Sequence, residues 1–182
     1  MADLNFPAVK QRQAKDESAD SGPAREPIWD IIELLFFAYR DFVSDPDEVL
    51  GKLGFGRAHH RVLHFVNRNP AMKVANLLGI LKITKQSLGR VLKQLIDQGY
   101  IVQKEGATDR RQRLLHVTPK GEALALKLAG LQTKRILSAL EGLGPNAHEG
   151  ARQFLMAMLD ADGRDEVLRL ISQTDRGPRG RP

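Results

Sequence analysis

The sequence predicts a mainly α-helical chain carrying one small β-hairpin. Three observations lead there. Apolar residues recur at helical spacing through most of the stretch between residues 28 and 171. Two short segments, "YIVQK" and "RLLHVT", read as strands joined by a polar link containing Gly106. Of 182 residues 42% are hydrophobic and none is cysteine, so a core must form without disulfides. The missing cysteines also remove thiolate metal sites, cysteine nucleophiles and thiol-based redox sensing.

Residues 1–27 are polar, mixed in charge and without hydrophobic period, which predicts a disordered tail. They hold no apolar run of the kind a signal peptide needs. No segment approaches the roughly 18 apolar residues of a membrane span. A soluble, cytoplasmic protein with no membrane partner is expected. Residues 173–182, ending "RGPRGRP", read as a second tail.

Residues 28–55 form an N-terminal dimerisation helix and loop in this reading. Ile28, Ile31, Ile32, Leu35, Tyr39 and Phe42 follow helical spacing over residues 28–44, and Trp29, Leu34, Phe36, Phe37 and Val43 widen the stripe. A helix apolar on most sides must be covered on most sides. In so small a chain a second subunit is the economical cover, with Trp29, Ile32, Leu35, Phe36 and Tyr39 facing it; the alternative is the central core helix of a monomer. "SDPDE" and the glycines at 51, 54 and 56 are expected to form a loop.

Residues 56–120 form the central domain. A helix is expected over residues 57–67, ended by Asn69-Pro70. Two further helical runs follow. The first spans residues 73–81. The second begins after Thr84 as N-cap, carries Leu88, Val91, Leu92, Leu95 and Ile96 on one face, and stops at Gly99. Two short helices joined by a tight turn outline a helix-turn-helix. The strands at residues 100–104 and 113–118 come next. Thr118-Pro119 then offers an N-cap and a first-turn proline for a long helix over residues 119–140. "EGLGPNAHEG" breaks it, and a last helix over residues 151–171 is expected, interrupted near Asp162-Gly163. Residues 121–172 would thus supply the C-terminal helices. The central order of elements is that of a winged helix-turn-helix.

Charge follows the same division. Residues 1–55 hold 6 basic and 11 acidic side chains, a net of −5. Residues 56–120 hold 13 basic and 3 acidic, a net of +10, while residues 121–182 hold 9 and 8, a net of +1. A basic centre between acidic and near-neutral flanks marks an anion-binding module. The exposed face of the second helix of the pair offers Lys85, Gln86, Ser87, Gly89, Arg90 and Lys93. These are mostly donors, and Gln86 can both donate to and accept from an adenine edge. In "TDRRQRLLHVTPKG", Asp109 precedes Arg110, Arg111 and Arg113 at the hairpin tip. Such a cluster needs a neutralising partner.

These residues resemble the MarR family of winged-helix regulators. "VANLLGILKITKQSLGRVLKQLIDQGY" carries the terminal L-x-x-x-G at Leu95 and Gly99. The wing pattern D-x-R, then a hydrophobic-threonine pair and a glycine, is met by Asp109, Arg111, Val117-Thr118 and Gly121, with Val117 in place of leucine. "HHRVLHFVNRNP…ITKQSL" is similar to the PetP-like branch. The resemblance implies a homodimeric transcriptional regulator binding a pseudo-palindromic site on double-stranded DNA. It implies that the terminal helices interlock, which makes residues 121–172 C-terminal dimerisation helices with Phe154, Leu155 and Leu168 in the interface. Its recognition helices would enter major grooves about 34 Å apart, with the wings in flanking minor grooves. It implies that Gln86, Ser87 and Arg90 read bases, with Thr84 at the start of their helix. Lys85, Lys93 and Arg113 would position the backbone, and Asp109 would orient the wing for Arg111 or its neighbour Arg110. It also allows a small-molecule effector, although no residue set identifies a pocket. The family often has a small residue in the turn where Lys82 stands. A reading of another class is a dimeric interaction module whose basic face binds an acidic protein.

No cofactor or metal site is expected. His60 and His64 are four apart on a helix, beside His59, but no carboxylate or cysteine nearby completes a site, so core or interdomain hydrogen bonding is expected. An enzyme is not expected either. No Walker-type loop or G-x-S-x-G elbow is present, and "GKLGFGRAHH" lacks a strand–loop–helix context.

Overall fold

The computed structural model describes residues 26–106 and 112–176. Ten elements follow in chain order. They are α1 (Trp29–Gly51), α2 (Arg57–Arg68), β1 (Met72–Lys73), α3 (Val74–Leu81), α4 (Lys85–Asp97), β2 (Ile101–Glu105), β3 (Arg113–Val117), α5 (Pro119–Glu141), α6 (Ala147–Ala157) and α7 (Ala161–Arg176). The sheet is antiparallel in the order β1-β3-β2. β3 pairs Leu115 with both Met72 and Gln103. Among the described residues no helix is long and apolar enough to cross a membrane.

The core gathers one face from each central element. Leu63 and Val66 of α2, Leu77 of α3, Leu88 and Leu95 of α4, Ile101 of β2, Leu115 of β3 and Leu128 of α5 are buried together. The half of α1 that joins them is its C-terminal half, through Leu50. Trp29, Leu35, Phe36 and Tyr39 in the other half are exposed, and α6 contains no buried residue.

Four expectations need correction. The first is the loop at "SDPDE", which is helical. Val43, Pro46 and Leu50 lie at helical spacing and are all buried, so apolar burial carries the helix through Pro46 despite its missing N–H. The glycines beyond belong to the helix end. Gly54 takes φ 69°, Gly54 N–H reaches the Gly51 carbonyl at 3.1 Å, and Phe55 N–H reaches that of Leu50 at 2.9 Å. This is a Schellman closure. The second is the lone hairpin, which has a third strand, β1. Ala71 turns the chain at φ 66° and donates its N–H to the Leu115 carbonyl at 3.0 Å. Two residues carry no readable period.

The third concerns the last helix, which is two. It starts earlier, at Ala147, and breaks at residues 158–160 rather than at Asp162-Gly163. The Arg164 guanidinium reaches back to the carbonyls of Ala157 at 3.2 Å and Leu159 at 2.8 Å, satisfying groups that the end of α6 leaves open. Gly163 lies inside the first turn of α7, its N–H on the Asp160 carbonyl at 3.3 Å. Fourth, α7 runs to Arg176, into the segment assigned to the C-terminal tail. Residues 1–25 and 177–182 of the expected tails lie outside the described residues.

The joint between α4, the wing and α5 is densely bonded. Gly99 (φ 75°) donates to the Ile96 carbonyl and Tyr100 N–H to that of Leu95 at 2.8 Å, a second Schellman closure. Thr118 Oγ1 donates to the Gly99 carbonyl at 2.7 Å, accepts the Gly121 N–H at 3.1 Å and so caps α5. Thr118 N–H meets the Tyr100 carbonyl at 3.0 Å. A Cβ on Gly121 would overlap that same carbonyl. Backbone cannot yield as a side-chain tip can. Gly121→Ala is therefore expected to cost about 1–3 kcal/mol of stability. Chemical denaturation checks this, and an unchanged midpoint would contradict the close approach.

His60 is buried and His64 half-buried on α2. Burial pushes both imidazoles below their ordinary range. Asp47 partly opposes this at His60, while His60 and Arg68 add to it at His64. The sign follows from linkage. As pH falls through about 6.5 the unfolded chain takes up protons that the folded chain resists, so stability falls. Melting temperature should drop between about pH 7.5 and 5.5, and less so in His60→Leu. Equal slopes for the two proteins would show that His60 contributes nothing.

Candidate nucleic-acid interface

α4 has two faces. Leu88, Val91, Leu92 and Leu95 are buried, while Lys85, Gln86, Ser87, Gly89, Arg90 and Lys93 are exposed. The buried face is the i, i+3, i+4, i+7 pattern of an amphipathic helix. It obliges the intervening polar residues to face outward.

The start of α4 is fixed by its cap. Thr84 Oγ1 accepts the Ser87 N–H at 3.1 Å and donates to Ser87 Oγ at 2.9 Å. The two hydroxyls hold each other, so Ser87 reaches outward with one bond already engaged. The preceding turn is made by Lys82 at φ 52°, whose N–H returns to the Leu78 carbonyl at 3.0 Å. Lysine thus occupies a left-handed position that glycine takes at less cost. This is what stands where the family pattern favours a small residue.

The cations differ in their freedom. Lys85, Gln86 and Arg90 have no side-chain partner among the described residues. The first turn of α4 holds no acidic residue, so Lys85 adds positive charge to the positive end of the helix dipole. Lys93 Nζ instead reaches Asp97 Oδ2 at 2.6 Å, and Arg113 Nη1 reaches Glu105 Oε1 at 2.9 Å across the hairpin. All four partners are more than half exposed, so these pairs are weak and can be exchanged for phosphate. Asp109, Arg110 and Arg111 lie outside the described residues. Where the description resumes, Gly106 N–H meets the Gln112 carbonyl at 3.1 Å and closes the hairpin below the tip.

Two neighbouring features were not assigned a role from sequence. Burial, and secondly the charge of Lys104 on β2, push His116 below the ordinary imidazole range; Arg113, paired with Glu105, lies on the opposite face of the hairpin from Lys104. His59 and Gln94 are hydrogen-bonded at 2.8 Å between α2 and α4. The Gly56–His59 spacing, that of an N-cap and its third helical residue, is the signal that could have singled out the histidine.

The expected dimer residues are also located. Trp29 is 63% and Phe36 71% exposed, Phe154 and Leu155 are exposed on α6, and Ile32 and Leu168 are half-buried. A groove of about 1160 Å³ runs between the end of α5, α6 and α7, with Ile136, Leu140, Leu155, Met156, Leu159 and Leu168 among its lining.

Known proteins agree with this geometry. A family model described as MarR family matches residues 53–112. The HTH-type transcriptional regulator PetP of Rhodobacter capsulatus is 48% identical over 129 residues, which are 71% of this chain and 78% of PetP. Among solved structures, Streptococcus pneumoniae FabT in complex with DNA superposes with a TM-score of 0.65 at 16% identity, covering 72% of this chain and 94% of FabT. A crystal structure of MarR gives 0.59 at 18% identity, covering 85% and 99%. The two structures share the winged-helix fold, and the extent of identity to PetP decides the relationship: the chain belongs to the MarR family of transcriptional regulators, in its PetP-like branch.

Proposed function

We propose that this regulator binds a pseudo-palindromic site on double-stranded DNA as a homodimer, in the cytoplasm, with α4 in the major groove and the wing in the flanking minor groove. The observation that carries the reading is the unpartnered donor face of α4. A helix that presents Lys85, Gln86, Ser87 and Arg90 beside its own positive end, with no acid in its first turn, is built to meet an anion with a readable edge. FabT is a fold neighbour whose solved structure holds DNA. Gln86, Ser87 and Arg90 then read base edges, while Lys85, Lys93 and Arg113 contact phosphates. Arg111 or Arg110, oriented by Asp109, would supply the minor-groove contact. A small-molecule effector is compatible with this arrangement, and no residue set identifies its site.

The homodimer rests on the apolar surface left open at both ends. Trp29, Leu35, Phe36 and Tyr39 on α1, with Phe154 and Leu155 on α6, are large exposed apolar side chains of the kind an interface covers. The apolar half of α1 carries Asp30 and Glu33, and the groove beside α6 is rimmed by Arg152 and Arg169 as well as Asp165, so net charge favours pairing these ends with each other.

Three outcomes are expected. Affinity for a selected duplex should fall steeply as salt rises, because displaced counterions drive binding. Arg90→Ala should cost about 1–3 kcal/mol and relax sequence preference at one position of each half-site. Wild-type affinity in that variant would remove Arg90 from the readout. Phe36→Asp should shift the protein from dimer to monomer in light scattering at micromolar concentration. A dimer of undiminished stability would place the interface elsewhere.

A further inference from the structure

Gln94 sits on the shoulder of α4, one turn beyond Arg90, half-buried between the core residue Leu95 and the exposed Lys93. Both ends of its amide are engaged. Nε2 donates to the Gly54 carbonyl at 3.1 Å, and Oε1 lies 2.8 Å from His59 Nε2. On its other side, His59 Nδ1 lies 3.1 Å from the Gly56 N–H. Two backbone groups fix every role in this chain. The Gly54 carbonyl only accepts, so the Gln94 nitrogen must face it and the Gln94 oxygen must face His59. The Gly56 N–H only donates, so His59 Nδ1 must accept and Nε2 must carry the proton. This arrangement places the His59 ring proton on Nε2. Its ring is clamped by Phe55, stacked at 4.8 Å and 14°, and Phe55 in turn meets Tyr100 edge-on at 5.2 Å.

Apolar packing keeps α4 on the core but is non-directional, so it leaves roll about the helix axis weakly specified. Base readout tolerates only about 10–20° of such error. The Gln94 amide supplies the missing direction. It ties α4 both to the first turn of α2 and to the turn that closes α1.

We propose that His59, acting through Gln94, is a positioning residue that sets the roll of the recognition helix for sequence readout. The role rests on the DNA-binding reading above. His59 touches no base; it holds the helix that does.

Two conservative variants separate its two contacts. His59→Asn places an oxygen where Nδ1 stands, keeping the Gly56 contact, but cannot reach Gln94. His59→Gln places a nitrogen where Nε2 stands, keeping the donor to Gln94. The full chain and each variant are titrated against duplexes enriched by the wild type from a random pool, with helical content and melting followed by circular dichroism. His59→Asn should melt near wild type yet bind about tenfold more weakly, the scale of one lost directional bond. His59→Gln should recover most of that loss. Gln94→Ala, which also loses the bond to the Gly54 carbonyl, should bind at least as weakly as His59→Asn, and the double variant should be no worse than Gln94→Ala, since the His59–Gln94 bond is then already gone. Wild-type affinity in His59→Asn, no recovery in His59→Gln, or additive losses in the double variant would overturn the proposal. So would a loss of affinity accompanied by a matching loss of helix. A wild type that enriches no duplex would instead remove the DNA-binding reading, and this inference with it.

Discussion

The joint where α4, the wing and α5 meet governs the rest of the molecule. The chain ends a helix on Gly99, forms β2 and β3, and returns 19 residues later to the same point, where Thr118 caps α5. Thr118 holds the Gly99 carbonyl with its hydroxyl and the Tyr100 carbonyl with its N–H, while Gly121 lets α5 pass against that same backbone. Lys120 adds a bond to the Gln98 carbonyl at 2.9 Å and a cation over the Tyr100 ring at 4.2 Å. α4, the wing and the long helix α5 therefore share one fixed corner. A rotation of α5 cannot leave α4 behind.

That corner explains a motif that composition alone does not. Asp109-x-Arg111 and Val117-Thr118 with Gly121 were readable as a family pattern, but the structure supplies the physical reasons for its second half. Threonine is needed for its hydroxyl, which both caps and staples. Glycine is needed because a Cβ would meet a carbonyl. The arginines at the tip remain a matter of charge: three cations close together in sequence, with Glu105 drawing Arg113 back toward the hairpin.

Much of the fold was legible because the signals were local and strong. Leu88, Val91, Leu92 and Leu95 announced the buried face of α4, and Gly99 and Thr118-Pro119 marked its end and the next helix start. The errors arose where tertiary burial overruled local chemistry. Pro46 reads as a breaker until its ring is found buried with Val43 and Leu50. β1 exists only through its pairing to β3, and the break after α6 is set by Arg164, whose reach to the Ala157 and Leu159 carbonyls no spacing announces. Of the interface, residue types and outward direction were legible, whereas pairing was not. The Lys93–Asp97 contact was a readable i, i+4 option. The His59–Gln94 bond joins residues 35 apart and needs the packed helices to exist.

In the proposed function two copies of α4 read two half-sites of one duplex. Selection of bound sequences from random duplex DNA decides this. An enriched pseudo-palindrome is expected, with half-site centres one helical turn, about 34 Å, apart. Enrichment of a single unrepeated half-site, or of no sequence at all at low salt, would contradict it.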